Sequence, residues 1–317
     1  MLKDLIKSRQ KDGYIIPILE QQFLIEGHRD SLKRKRGVFH PSEISGDRFC
    51  PREWLLCERD HSLYGRRKVT ANLQMRFDVG HSLHNMVQKK LGNAGVLFGK
   101  WHCLRNCLEE KCTAFGFKPK ECLSVKERKV RPIWVFDELR VRDDEFLIEG
   151  STDGLLVVKG CKYVFEFKTI YEDGFSTLIE PLERHKEQGL WYLDILERGN
   201  RQLEQVLMEA LYSGANVQEQ LDVVRMPFSG VVFLYMNKNS QQLREFCVRG
   251  AQPREREFLV RGDDSTRDLI DEKKKVLLST LEHREKGTLP PKLECCVNKQ
   301  SYRARLCLAR NECFEEE

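Results

Sequence analysis

Three charged side chains between Leu147 and Ile170 are close enough in the sequence to do chemistry together. Asp153 lies in a Gly-x-x-Asp-Gly motif, and Glu166 and Lys168 form a Glu-x-Lys motif in the next apolar run. Residues i and i+2 of a strand share a face, so Glu166 and Lys168 are expected to point the same way. A turn centred on Gly160 would pair the two runs and bring Asp153 beside them. Two carboxylates at short range suit a hard divalent cation such as Mg²⁺, and a neighbouring lysine can orient water or offset phosphate charge.

These residues could instead be ordinary surface charges. Asp, Glu and Lys are common on any protein surface, and a Glu-x-Lys pair occurs by chance in most proteins. Here, however, the charges interrupt otherwise apolar strands, where an unpaired charge is energetically costly. The setting therefore favours a metal-binding site that acts on a phosphate.

The composition is typical of a soluble globular protein. The chain has 317 residues, enough for one large domain or two smaller ones, of which 32% are charged and 40% hydrophobic. No apolar run approaches the roughly 18 residues of a membrane helix, and the N-terminal segment lacks the hydrophobic region of a secretion signal. We therefore expect a cytoplasmic protein with no membrane partner. The net charge of +5 permits a polyanionic partner, and basic clusters at residues 33–36, 66–68 and 126–131 favour phosphate contact.

Clustered cysteines in a reducing compartment indicate metal binding rather than disulfides, and this chain has twelve. Four of them lie within one short segment: Cys103, Cys107, Cys112 and Cys122. Four thiolates brought together by short loops form a tetrahedral zinc site, so we predict a zinc ribbon or knuckle here. The spacing is not a repeated Cys-x2-Cys, and His102 could replace one thiol.

Cysteines near the two chain ends suggest a second metal site. Cys50 precedes Pro51 at a predicted helix start, where a thiolate is favoured. The C-terminal thiols are Cys295, Cys296, Cys307 and Cys313. Together with Cys50 they could form a four-thiolate site that ties the ends of the chain together. A buried free thiol is the alternative for Cys50, and it is the preferred interpretation of Cys57.

Two predicted helices carry further candidate residues. Residues 75–91 have an apolar stripe, and His84 lies beside it; a histidine in this position is more often a helix residue with satisfied contacts than a ligand. In the helix predicted over 181–197, Gln188 and Tyr192 share a face because they are four residues apart. Spacing alone favours ordinary boundary residues for this pair.

The segments around these helices predict strands and a division of the chain. Residues 133–142 alternate and predict one strand, in which Glu138 is a charge with no assigned role. Residues 229–238 predict a buried strand. The expected parts are an N-terminal helical part (1–100), a cysteine-rich zinc-binding insertion (101–132), a catalytic core (133–250) and a C-terminal helix with cysteines (251–317).

In their order along the chain, these motifs resemble the PD-(D/E)XK nuclease superfamily. The closest group is the RecB-like exonucleases, which include CRISPR-associated iron–sulfur exonucleases and phage-encoded relatives. The matching pieces are Cys50-Pro51-Arg52, Gly80-x3-His84, Gly-x-x-Asp153-Gly, Glu166-x-Lys168, Gln188-x3-Tyr192 and Cys307-x5-Cys313. Thr152 stands where the family name has proline, and the cysteine-rich insertion is similar to elements of the phage relatives.

The resemblance implies an α/β fold with a mixed central β-sheet flanked by helices, a restriction-endonuclease-like core. A small zinc-ribbon-like insertion and a C-terminal metal-cluster staple would be added to that core. The implied ligands of one or two Mg²⁺ or Mn²⁺ ions are His84, Asp153, Glu166 and the backbone carbonyl of Phe167. Lys168 would orient water or stabilise the phosphate charge, and Gln188 and Tyr192 would position Lys168.

The resemblance also implies a [4Fe-4S] cluster held by the terminal cysteines. The implied ligands are Cys50, Cys296, Cys307 and Cys313. Cys295 and Cys296 stay open as alternatives for the same position. Their separation from Cys307 exceeds that in the CRISPR-associated members, so zinc is the alternative to iron and sulfide.

The implied activity is that of a metal-dependent DNA exonuclease in phage-type replication or recombination, located in the host cytoplasm if phage-encoded. One alternative is a structure-specific endonuclease or nickase with the same chemistry. Another is a non-catalytic, metal-stapled DNA-binding protein. The chain has no Gly-x4-Gly-Lys-Ser/Thr motif, so any helicase or recombination protein would be a separate partner.

Overall fold

The structure, a computed structural model, describes residues 15–66, 70–104, 113–120, 133–199, 204, 208, 218–248 and 264–315, without the side chains of 30–33 and 264–267. The chain divides into two compact units. The terminal unit comprises Met1–Gly37, Cys50–Ser82 and Ser279–Glu317. The sheet unit comprises Val38–Phe49 and Leu83–Leu278. The four-part division expected from the sequence stays a prediction.

Within the described residues, seven strands form one mixed sheet and two more form a hairpin. The strands are β1 (Leu97–Cys103), β2 (Thr113–Phe117), β3 (Trp134–Asp137), β4 (Leu139–Asp143), β5 (Ile148–Thr152), β6 (Gly154–Val158), β7 (Cys161–Ile170), β8 (Phe228–Asn237) and β9 (Leu243–Val248). The sheet has the order β2-β1-β6-β7-β8-β9, and β3 pairs with β1. Only β7 and β8 pair in parallel, while β4 and β5 form the separate antiparallel hairpin.

The helices of the described residues are α1 (Ile15–Lys33), α2 (Pro41–Ile44), α3 (Pro51–Arg59), α4 (Ala71–Asn93), α5 (Glu172–Ser176), α6 (Glu183–Arg198), α7 (Gln218–Arg225), α8 (Asp264–Glu285), α9 (Tyr302–Leu306) and α10 (Arg310–Glu315). A 3-10 helix covers His61–Arg66. Helix α6 packs on β7 and β8, and α7 packs on β2. The prediction of an α/β fold with a mixed central sheet flanked by helices is confirmed.

A tight turn joins β6 to β7 and places the Glu-x-Lys motif opposite the Asp153 region. Val158 pairs with Cys161, and the two turn residues Lys159 and Gly160 have φ values of +52° and +73°. Positive φ at both central positions is characteristic of a two-residue hairpin turn, and Gly160 adopts it without a steric penalty. The turn predicted around Gly160 is therefore present.

The strand predicted over residues 133–142 is wrong in one respect, because it breaks at Glu138 into β3 and β4. Trp134 and Phe136 are buried in β3, whereas Leu139 and Val141 are buried in β4. The buried positions thus shift by one residue at Glu138. The physical cause is a change of partner, because β3 pairs with β1 and β4 pairs with β5.

The core of the sheet unit lies under β7. Phe165 and Phe167 are fully buried there, together with Trp101 of β1. Helix α4 adds its predicted stripe, with Val87 buried and its neighbours one turn away partly buried. His84 lies beside this stripe, and its ring packs against Phe167 of the interior strand β7.

A buried ion pair anchors α6. The Lys273 ammonium lies 2.5 Å from Oε2 of Glu187 and also donates to the carbonyls of Ile44 and Gly46, both at 3.1 Å. The same carboxylate accepts the N–H of Gly46 at 2.6 Å. With its partners satisfied in this way, a buried charge is tolerated and restricts the position of the helix.

No helix in the described ranges is long and apolar enough to cross a membrane.

Replacement of Gly189 by alanine should destabilise the fold. A Cβ atom there would lie 2.5 Å from Cζ of Phe233 and 2.8 Å from Cγ1 of Val231. Overpacking of this kind costs about 1–3 kcal/mol of unfolding free energy, measurable by urea denaturation. Gly174→Ala is the matched control, because its Cβ would meet only Ile170 Cδ1, at 4.0 Å. Both changes add helix propensity, so equal stabilities of the two variants would contradict close packing of α6 on β8.

Candidate functional site

Glu166 and Lys168 lie together on β7, as their spacing predicts. The Lys168 ammonium lies 2.7 Å from Oε2 of Glu166. Glu166 is only 1% exposed, and among the described residues its other oxygen, Oε1, has no hydrogen-bond partner. A buried carboxylate oxygen that lacks a donor is rare, because the desolvation cost is not offset. The pair is therefore incomplete as it stands.

Asp153 follows β5 and is held on both carboxylate oxygens. Its Oδ2 accepts the backbone N–H of Phe167 at 2.6 Å, and its Oδ1 lies 3.1 Å from Nδ1 of His84. Its own carbonyl accepts a hydrogen bond from Nε2 of Gln88 at 3.1 Å. The His84 ring also packs edge-on against Phe167, with 4.8 Å between ring centroids. The structure thus brings the predicted imidazole and the predicted carboxylate together.

Glu138 completes a group that could hold a cation. One ligand atom each from His84, Glu138 and Asp153 lies within 4.8 Å of the others. The sequence analysis assigned no role to Glu138, although a signal was present. The residue falls where the alternation of buried positions shifts by one between β3 and β4. A charged residue at such a shift belongs to neither strand's buried face, so its side chain is available for a site.

The electrostatics of the site favour the addition of positive charge. Burial raises the pKa of Glu166 to about 7; Lys168 opposes this shift, and Asp153 adds to it. Glu138 is an exposed residue, but neighbouring atoms desolvate its carboxyl group and raise its pKa, with a further contribution from Asp153. Burial alone would raise the pKa of Asp153, but the His84 hydrogen bond, the His84 charge and Lys168 together lower it. Three carboxylates thus share one lysine and one imidazole.

The remaining basic groups respond to the same carboxylates. Burial alone would lower the pKa of His84, but the hydrogen bond and charge of Asp153 outweigh it and raise the pKa. For Lys168, burial is likewise outweighed by Glu166 and Asp153, and the pKa is raised. Lys168 is therefore a fixed cation at neutral pH.

Gln188 and Tyr192 of α6 share a face, as their four-residue spacing predicts, and they extend the network from Lys168. The Lys168 ammonium donates to Oε1 of Gln188 at 3.3 Å, and Nε2 of Gln188 donates to the Tyr192 hydroxyl at 3.1 Å. Tyr192 is 3% exposed, and burial raises its pKa well above the usual value. The tyrosine therefore stays neutral, and the glutamine amide orients the lysine.

His185 and Tyr235 form a second layer that the sequence analysis missed. The Tyr235 hydroxyl accepts the N–H of Leu182 at 3.1 Å and lies 2.9 Å from Nδ1 of His185. The tautomer of His185 decides which of the two groups donates in this contact. Burial lowers the pKa of His185 to about 3, with Lys168 and Arg184 as further causes. These partners are fifty residues apart, so no local pattern signals them.

In the terminal unit, four of the predicted thiols line one pocket: Cys50, Cys296, Cys307 and Cys313. Cys295 is exposed and is not among the lining residues. Burial raises the pKa of Cys50 and, together with the Glu53 charge, that of Cys307. Cys57 is buried in the adjacent apolar cluster, as predicted for an ordinary thiol.

The predicted zinc-binding insertion falls mostly outside the described residues. Cys107, Cys112 and Cys122 lie in segments 105–112 and 121–132, which the structure does not describe. Cys103 is buried at the end of β1 within the core of the sheet unit. Nδ1 of His102 lies 2.7 Å from Oδ1 of Asp137. The zinc site therefore stays a prediction.

Comparison with known proteins yields little. No protein-family model and no curated protein sequence matches the chain. A matching solved structure is titled "Crystal structure of SSO0001", with a TM-score of 0.39 and 12% sequence identity over 96% of this chain and 98% of that chain. Similarity at this level establishes neither a fold family nor a function.

Glu138→Gln should weaken divalent-cation binding without unfolding the protein. The change removes the charge of one member of the group formed by His84, Glu138 and Asp153. The side chain of Glu138 is exposed, so it contributes little to packing. The Kd for Mn²⁺, measured by titration calorimetry, should rise about tenfold, equivalent to about 1.4 kcal/mol. Asp137→Asn is the control, because Asp137 pairs with His102 instead. Unchanged affinity in the Glu138 variant would exclude this residue as a ligand.

His185 predicts a loss of stability in acid. Its folded pKa of about 3 lies below the ordinary 6.5, so between these values only the unfolded chain binds the proton. The contribution of the neutral His185 to the unfolding free energy is complete above pH 6.5 and is lost as the pH falls towards 3. The stability advantage of the wild type over His185→Gln, from urea denaturation without metal, should therefore shrink as the pH is lowered through this window. A constant difference across the window would show that His185 takes up its proton in the folded state.

Proposed function

We propose that this protein is a metal-dependent deoxyribonuclease of the PD-(D/E)XK type that hydrolyses phosphodiester bonds as an exonuclease. The proposal rests on the buried carboxylate of Glu166. Its Oε2 is paired with Lys168, while its Oε1 has no hydrogen-bond partner among the described residues. Asp153 and His84 meet beside it. Two acids, a lysine and an imidazole are the components that the nuclease resemblance implies.

The side chains around this position fit a hard divalent cation. The side-chain donors are carboxylate oxygens and an imidazole nitrogen, and such a set suits Mg²⁺ or Mn²⁺. The residues that would hold the ion are His84, Glu138, Asp153, Glu166 and the carbonyl of Phe167. Three carboxylates against one lysine leave negative charge that a divalent ion offsets. When bound, such an ion lowers the pKa of a water ligand and polarises a phosphate oxygen.

Lys168 supplies the fixed positive charge of the proposed reaction. Glu166 and Gln188 hold its ammonium from two sides, at 2.7 and 3.3 Å. An ammonium held in place can stabilise charge that develops on a phosphate without reorganising during the reaction. Tyr192 and Gln188 position this group and do not themselves react.

The choice of DNA and of exonucleolytic cleavage comes from the resemblance to RecB-like exonucleases. Of the three basic clusters that favour phosphate contact, only residues 33–36 and Arg66 lie in the described part of the chain. A role in phage-type replication or recombination follows by association with the same group. Any helicase or recombination protein would act as a separate partner.

We further propose that Cys50, Cys296, Cys307 and Cys313 hold a [4Fe-4S] cluster. The four thiols line one pocket of the terminal unit, and four thiolates brought together in this way can hold such a cluster. The choice of iron and sulfide over zinc follows from the resemblance. Zn²⁺ at Cys103, Cys107, Cys112 and Cys122 remains part of the proposal on sequence grounds.

Asp153→Asn and Lys168→Ala should each reduce cleavage of linear DNA in Mg²⁺ by at least about a hundredfold, the scale of losing one transition-state charge partner. DNA binding, measured by fluorescence anisotropy, should survive both changes. Lys100→Ala removes a lysine from an exposed position of β1 and is the control. Cleavage that persists in both site variants would refute the assignment. Nicking or linearisation of closed circular DNA would indicate an endonuclease of the same chemistry.

Metal analysis of anaerobically purified protein should find iron and acid-labile sulfide, with visible absorption. Cys296→Ala should lose this absorption, because Cys296 lines the pocket. Cys295→Ala should retain it, because the neighbouring thiol is exposed. Zinc in place of iron would overturn the cluster, and loss only in the Cys295 variant would reverse the choice between the two thiols.

A further inference from the structure

One carboxylate organises the cysteine pocket of the terminal unit. Glu53, in the first turn of α3, accepts the guanidinium of Arg303 at 2.8 Å on Oε2 and the N–H of Leu308 at 2.8 Å on Oε1. Its own N–H points at the sulfur of Cys50, 3.4 Å away. Leu308 directly follows Cys307, which lines the pocket together with Cys50. Glu53 therefore connects two of the proposed thiolate ligands, which lie far apart in the sequence.

Arg303 brings a positive charge to the same pocket. The side chains of Arg303 and Glu53 are 17% and 18% exposed, and Arg303 lines the pocket together with the thiols. A guanidinium cannot lose its proton in a protein, so this charge is permanent.

The pocket needs such a charge if it holds a metal centre. Four thiolates carry four negative charges, which exceed the positive charge of one Zn²⁺ ion or of an iron–sulfur core. The remaining negative charge is costly in a partly buried site. The charge near an iron–sulfur cluster is also one of the properties that set its reduction potential.

We propose that Arg303 compensates the negative charge of the thiolate-bound metal centre, and that the Glu53 carboxylate partly offsets this compensation. This inference rests on the four-thiolate centre proposed above and adds a function that the cysteines alone do not supply. Arg303 contacts no reacting atom of the nuclease site. It is a positioning residue that acts on the stability and the potential of the centre.

The two charges of the pair predict opposite effects. Loss of the Arg303 charge destabilises the reduced, more negative cluster and shifts the reduction potential to a more negative value. Loss of the Glu53 charge does the reverse. General loosening of the pocket would move both variants in the same direction, so opposite signs distinguish an electrostatic role from a structural one.

The experiment is a potentiometric titration of the anaerobically purified full chain, followed by visible absorption. The variants are Arg303→Gln, Arg303→Lys, Glu53→Gln and the control Arg305→Gln. Arg305 lies on the same short helix but is not among the residues that line the pocket. We expect a more negative potential for Arg303→Gln, a more positive one for Glu53→Gln, and values near wild type for Arg303→Lys and Arg305→Gln. Unchanged potentials, or shifts of one sign in both pocket variants, would overturn the proposal.

If the wild-type protein contains zinc, the iron–sulfur cluster is refuted, but the role of Arg303 can still be tested. The same variants would then be compared by the rate of zinc transfer to a chelator. Arg303→Gln should release zinc faster than wild type, and Glu53→Gln should release it more slowly. Equal rates would overturn the role of Arg303, and a wild-type chain that binds neither metal would overturn both the centre and its charge partner.

Discussion

The cost of burying the carboxylates of Glu166 and Asp153 beside a single lysine is the constraint on which the site depends. Glu166 is 1% exposed and Asp153 5% exposed, deep enough for an uncompensated charge to be expensive. Lys168 offsets one charge, and hydrogen bonds to His84 and to a backbone N–H hold the other. One oxygen of Glu166 is still unsatisfied among the described residues. The proposed cation would satisfy this oxygen and balance the charge.

The fold is built to bring these groups together and hold them. The tight turn between β6 and β7 places Asp153 across from the Glu-x-Lys residues, and the parallel pairing of β7 with β8 fixes the strand from the other side. Helix α6 approaches this sheet closely at Gly189, and the preceding residue, Gln188, reaches Lys168. The ion pair of Lys273 with Glu187 then restricts the helix that carries Gln188. Each element thus limits the freedom of one side chain of the site.

Patterns among neighbouring residues in the sequence predicted part of this arrangement. The two-residue period of a strand and the glycine turn predicted the hairpin, and the helical spacing of Gln188 and Tyr192 predicted their shared face. Glu138 was missed because the shift of the apolar alternation at this position does not show which strands the two halves pair with. His185 was missed because its partner lies on β8, fifty residues away, and only tertiary structure brings them into contact. The choice between Cys295 and Cys296 likewise required the pocket, since neighbouring residues have nearly the same spacing to any third cysteine.

The most direct test is a crystal structure of the protein with Mn²⁺, examined by anomalous scattering. The account predicts an anomalous peak within coordination distance of both Asp153 and Glu166, with His84 or Glu138 as a further ligand. No peak at this position, or a cation bound elsewhere while Glu166 keeps only its contact with Lys168, would contradict it.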